Sequence, residues 1–120
     1  MGRSARPHFG KASRSLTRSL RVQPEAETEL VTAVEWYESK RRGLGLELLV
    51  AVDRALEELL RTPGRHPIWR RGHRFRRRIV QRFPYVIFFT STESRVEVVA
   101  FAHAKRRPGY WLARSGSRDQ

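Results

Sequence analysis

The residues with the most chemistry to offer are cationic and crowd the last third of the chain. Arg74, Arg76, Arg77 and Arg78 come first, then Tyr85, then His103, Lys105, Arg106, Arg107 and Tyr110. Such a set could clamp a phosphodiester. A guanidinium grips phosphate bidentately and stabilises developing charge, an imidazole or phenol can exchange a proton, and a tyrosine ring can stack on a base. It could equally hold an acidic protein segment, because charge alone does not choose between polyanions. His103 has two readings, as a proton carrier beside a phosphate or as a half-buried histidine hydrogen-bonded for structure.

Other chemistries lack their residues. The chain has no cysteine, which excludes internal disulfides and thiolate metal sites. His8, His66, His73 and His103 form no i,i+4 pair, so no metal is expected. No GxSxG elbow presents a serine nucleophile, and no GxxxxGK[ST] loop cradles a nucleotide, so no cofactor is expected either.

The elements that must position the cations follow from periodicity. Ile79-Val80, Tyr85 to Phe89 and Val96 to Phe101 are β-branched and aromatic runs of strand length. Phe83-Pro84 and Ser91-Thr92-Glu93-Ser94 separate them, which predicts an antiparallel meander. Strand alternation sets Arg74, Arg76, Arg78 and Val80 against Phe75, Arg77 and Ile79. If Phe75 and Ile79 face the helices, the three even-numbered arginines face outward together. On the last strand Val99, Phe101 and His103 are expected to share a face.

Ahead of the meander lie two amphipathic helices. Pro24 starts the first, Ala26, Leu30, Ala33, Val34 and Tyr37 give its apolar stripe, and Gly43 ends it. Trp36 borders this stripe, packing at its edge or open to a partner. After Gly43-Leu44-Gly45, Leu49, Val52, Leu56, Leu59 and Leu60 repeat until Thr62-Pro63-Gly64, completing an αα-hairpin. Leu46 and Leu48 widen the second stripe, while Glu35, Glu38, Asp53, Glu57 and Glu58 read as solvated faces. Leu20-Arg21-Val22 is a short extended candidate, Trp69 anchors the loop after the hairpin, and Tyr110 to Leu112 fold back as a closing turn.

The predicted class is therefore α+β, with an N-terminal short strand and an αα-hairpin packed on a three- to four-stranded antiparallel sheet. One domain spans residues 19–114, between a disordered basic arm (1–18) and a frayed tail (115–120). The net charge is +13 over 120 residues. Residues 62–112 hold twelve basic and two acidic side chains, against five and nine in residues 24–61. No apolar run reaches the ~20 residues needed to span a bilayer and no secretory signal is evident, so no membrane partner and a cytoplasmic location are expected.

Several short motifs, weak singly, occur in a specific order: Ala26, Glu29 and Leu30; Trp36-Tyr37-Glu38; Gly43-Leu44-Gly45; Arg82-Phe83-Pro84-Tyr85; and His103, Arg107-Pro108 and Trp111. In this order the chain resembles the RelE/ParE toxin superfamily of bacterial type II toxin–antitoxin systems, closer to the ParE-like branch, over roughly residues 19–114. The basic arm and Gln23, in place of a small polar cap, depart from the family pattern. The resemblance implies a growth-inhibiting toxin neutralised by a cognate antitoxin segment. ParE-like members act on DNA gyrase without being enzymes, and RelE-like members cut mRNA on the ribosome. For gyrase or antitoxin binding the candidates are Arg74, Arg76, Arg78, Tyr85, Lys105, Arg106, Arg107 and Tyr110. For the ribonuclease alternative they are Arg78, His103 and Arg107. A simple basic nucleic-acid-binding module is the third possibility.

Overall fold

A computed structural model describes residues 18–114. Apart from Arg18, the basic arm lies outside the described residues, as does the 115–120 tail. The chain forms β1 (Ser19–Val22), α1 (Pro24–Lys40), α2 (Leu44–Arg61), β2 (Arg76–Ile79), β3 (Tyr85–Ser91) and β4 (Arg95–His103), then a closing 3₁₀ turn at Tyr110–Ala113. The sheet order is β1-β4-β3-β2. β2, β3 and β4 are the antiparallel meander, whereas β1 joins β4 in parallel, from Ser19 opposite Arg95 to Val22 opposite Val98. A parallel neighbour needs a long crossover between its strands, and the helical hairpin begins that crossover.

Local chemistry sets the helix ends. Pro24 occupies the first turn of α1 with Glu25 and Glu27, where a missing N–H and negative charge both suit the positive end of the helix. Gln23 caps it without a side-chain bond to the helix and instead donates to Glu97 at 3.0 Å. Gly43 takes the left-handed conformation, φ 89°, that turns the chain into α2.

Both helices lie on one face of the sheet. Ala26, Leu30 and Ala33 of α1 and Leu48, Val52, Leu56, Leu59 and Leu60 of α2 pack on Val80, Ile87, Phe89, Val96, Val98 and Phe101. Leu46, by contrast, stands exposed. The opposite face carries a smaller cluster of Phe75, Phe88, Val99, Ala100, Ala102 and Trp111, with Trp69 packed against it. Trp111 stacks on Phe88 with ring centroids 4.0 Å apart, so the closing turn is a lid on this second cluster.

Two face assignments differ from the alternation argument. In β2 the alternation holds but the faces are exchanged. Phe75 joins the far cluster with Trp111, Ile79 is exposed, and Arg76 and Arg78 stand on the helix side with Val80. β2 is an edge strand, so its arginines reach polar partners at the end of α2, Arg78 the Glu58 carboxylate and Arg76 the Gly64 and His66 carbonyls just beyond it. In β4 the pairing shifts between Phe88 and Phe89, which oppose Ala100 and Val98 and leave Val99 as the extra residue of a bulge. Val99 therefore belongs to the far cluster, while Phe101 returns to the helix side.

Candidate functional site

The hairpin turn is held by a carboxylate. Glu38 accepts the Gly43 amide at 2.9 Å and the Gly45 amide at 3.0 Å, rather than lying idle on a solvated face. A Cβ on Gly45 would sit 2.8 Å from the Val34 carbonyl, so glycine is what lets the helices approach this closely. At the same end Glu47 bridges Arg41 at 3.2 Å and Arg82 at 3.0 Å. The Gly43 and Gly45 amides hold Glu38 below the usual carboxylate value of 4.5, and Arg82 and Arg41 do the same for Glu47. A depressed folded pKa contributes stability that is complete above the unfolded value and is lost as pH falls through the folded one. The thermal midpoint is thus expected to drop as pH falls below 4.5, and to drop less in Glu38→Ala. Melts of both proteins across the acid range check this, and identical acid limbs would remove Glu38 from the explanation.

On the α1 flank a groove of about 630 Å³ opens between α1 and the upper part of β4. Ala33, Trp36, Tyr37, Tyr85 and Phe101 give it apolar and aromatic walls, and Glu29, His103 and Arg106 give it polar ones. Tyr85 stacks on Phe101 with centroids 4.6 Å apart and meets His103 edge-on at 5.2 Å. Burial, with Tyr37 beside it, raises the Tyr85 pKa, so its phenol stays protonated and can donate but not act as a base at neutral pH. His103 Nδ1 accepts the Lys105 amide at 3.1 Å, which places the proton of the neutral ring on Nε2 as a donor. Trp36 remains 55% exposed.

The base of this groove is organised by Glu29. Once β1 ends, the outer edge of β4 has no strand beside it. Glu29 accepts the Phe101 amide at 2.9 Å, and Arg114 donates to the Val99 carbonyl at 2.8 Å. Glu29 also meets the Tyr110 hydroxyl at 2.8 Å, Arg114 at 2.9 Å and Arg106 at 3.4 Å. Arg106 lies over the Tyr110 ring at 3.5 Å. Burial and then the Glu29 carboxylate push the Tyr110 phenol well above its ordinary value.

The α2 flank carries a second, basic pocket. It lies between the end of α2 and edge strand β2, and Arg78 pairs there with Glu58 at 2.6 Å. Burial holds His66 below its ordinary pKa, against the opposing pull of the Thr62 carbonyl.

The structure thus divides the sequence candidates. Tyr85, His103, Arg106 and Tyr110 gather on the α1 flank, with Lys105 and Arg107 exposed on the turn that follows β4. Arg76 and Arg78 lie on the α2 flank, and Arg74 is exposed just before β2. Arg78 and His103 line different pockets, with the hairpin between them. Among the described residues no cluster of His, Asp and Glu could hold a metal, and no helix is long and apolar enough to cross a membrane. Glu29 was missed as an organising residue. Its signal was a carboxylate lying between Ala26 and Ala33 on the buried side of α1.

Comparisons place this geometry among known proteins. Residues 20–108 match the family described as "ParE toxin of type II toxin-antitoxin system, parDE". A search of curated proteins gives no match. Among solved structures, the chain is similar to one titled "Chromosomal ParDE TA system from P. aeruginosa", with a TM-score of 0.66 and 12% identity, over 74% of this chain and 98% of that one. At that identity the likeness concerns the fold.

Proposed function

The chain belongs to the ParE toxin family of type II toxin–antitoxin systems, and from that premise we propose that it inhibits DNA gyrase in the cytoplasm and is neutralised by a cognate antitoxin. The observation that carries the proposal is the family match across residues 20–108, nearly the whole described fold. The α1-flank groove is the proposed antitoxin seat. Its walls are Trp36, Tyr37, Tyr85 and Phe101, and Arg106 lies at its rim near the exposed Lys105 and Arg107. Those chemistries suit an amphipathic segment that lays apolar side chains inside and carboxylates along the rim.

Gyrase is left with the basic surface outside the groove, including Arg74. The reading needs no catalytic step. Arg78 is tied to Glu58, and Tyr110 is tied to Glu29 beneath Arg106, which supports a binding role over a phosphate-cleaving one.

Induced expression in a bacterial host is expected to arrest growth, and co-expression of the antitoxin encoded beside the gene to restore it. Trp36→Ala is expected to weaken antitoxin binding about tenfold or more, since exposed tryptophans that become buried in an interface dominate its energy. Calorimetry of the purified pair reads this directly. Unchanged affinity would move the antitoxin seat away from α1, and growth without arrest would oppose the toxin reading.

A further inference from the structure

Arg61, Arg65, Arg77 and Arg78 converge on one pocket of about 720 Å³ on the α2 flank. The single carboxylate lining it is Glu58, which Arg78 already occupies at 2.6 Å. Elsewhere the chain pairs clustered arginines with acids. Arg21 and Arg95 meet Glu97, Arg41 and Arg82 meet Glu47, and Arg106 and Arg114 meet Glu29. Among the described residues Arg61, Arg65 and Arg77 have no acidic partner within ion-pair distance. Like charges gathered in a concave site repel one another until an anion neutralises them.

The pocket wall is held in place. Arg76 donates to the His66 carbonyl at 2.6 Å and to the Gly64 carbonyl at 3.4 Å. His66 Nδ1 lies 3.2 Å from the Thr62 carbonyl. These contacts pin the Pro63–Arg65 turn, and Arg65 with it, against β2.

The geometry points to a binding site for a polyphosphate group, with Arg61, Arg65 and Arg77 as its phosphate ligands and Arg78 at its floor. A single phosphate carries about −1.5 to −2 charge at neutral pH, less than three free guanidiniums can balance, whereas two or three adjacent phosphates match them. Apart from His66 the pocket has no aromatic lining residue to stack a base, so recognition rests on the phosphates. An acidic peptide adding to the β2 edge fits less well. The Arg77 amide is already bonded to the Pro67 carbonyl at 3.0 Å, and Ile68 bridges to Arg76, so part of that edge is closed.

The same chemistry has two sources, a free polyphosphate chain or a nucleic-acid backbone. The test titrates sodium tripolyphosphate into the full chain by calorimetry at physiological ionic strength. Saturable one-to-one binding is expected, weakened about tenfold or more in the Arg61→Ala/Arg65→Ala double variant. It should be unchanged in Arg42→Ala/Arg54→Ala, which removes equal charge from two exposed positions, one in the hairpin turn and one on α2. Circular dichroism checks that both variants fold. Absent saturation, equal weakening in the two double variants, or tighter binding of polyglutamate than of tripolyphosphate would overturn the site. With binding established, displacement by a single-stranded oligonucleotide assigns the backbone as the source, and failure to displace assigns the free chain. The result stands whether or not the protein acts on gyrase.

Discussion

Trp111→Ala is expected to lower the unfolding free energy by about 3–5 kcal/mol, the largest single effect in the molecule. Trp111 is fully buried, stacks on Phe88 and touches Phe75 and Trp69, so its removal empties the centre of the far cluster. It also undocks the closing turn, which carries Tyr110 and leads into Arg114. Domains of this size are stable by only about 5–15 kcal/mol, so the variant should lose about a third or more of a typical fold's stability. Trp111→Phe separates volume from hydrogen bonding. The indole N–H is buried without a partner among the described residues, so phenylalanine sacrifices packing alone and should cost less than half as much. Denaturant unfolding of the two variants decides this, and a loss below about 1 kcal/mol for alanine would mean that the turn is not docked as described.

Glu29→Ala comes next, with an expected loss of about 2–4 kcal/mol. Glu29 and Arg114 are each only 15% exposed, so removing the carboxylate strands a guanidinium away from water. It also takes the acceptor from the Phe101 amide and the Tyr110 hydroxyl. The figure sits at the lower part of the range for broken buried pairs because residual exposure lets water reach the site. Arg114→Ala alone should cost less, since Glu29 keeps three other donors. The double variant should fall short of the sum of the two single losses, as for any coupled pair. Strict additivity in denaturant melts would show that Arg114 and Glu29 do not act together.

How far these features were legible in the sequence depends on the reach of the signal. The hairpin was legible because each helix repeats its apolar residues locally, and the meander because its three strands are separated by proline or polar turns. The α+β class stands, with β1 as a parallel addition to a mainly antiparallel sheet. The faces of β2 were not legible. Phe75 and Val80 are both buried and stand on opposite faces, so alternation could not say which face met the helices until Trp111 was placed. The bulge at Val99 was invisible because it lies in an unbroken apolar run, Val98 to Ala102, with no polar residue to mark the change of phase. Glu38 and Glu29 looked like any helix carboxylates. What distinguishes them is the partner, a turn amide five residues on for Glu38 and a strand and closing turn more than seventy residues away for Glu29. Of the site candidates, Tyr85, His103, Arg106 and Tyr110 share one flank, and Arg76 and Arg78 take the other. Only the fold could draw that division.

The central claim, a gyrase-directed toxin, is tested most directly by a DNA gyrase supercoiling and cleavage assay with the purified chain, with and without its antitoxin. The account predicts loss of supercoiling with accumulation of cleaved DNA, reversed when antitoxin is added at equal concentration. Undisturbed supercoiling by demonstrably folded protein, together with cutting of ribosome-bound mRNA by the same preparation, would contradict it.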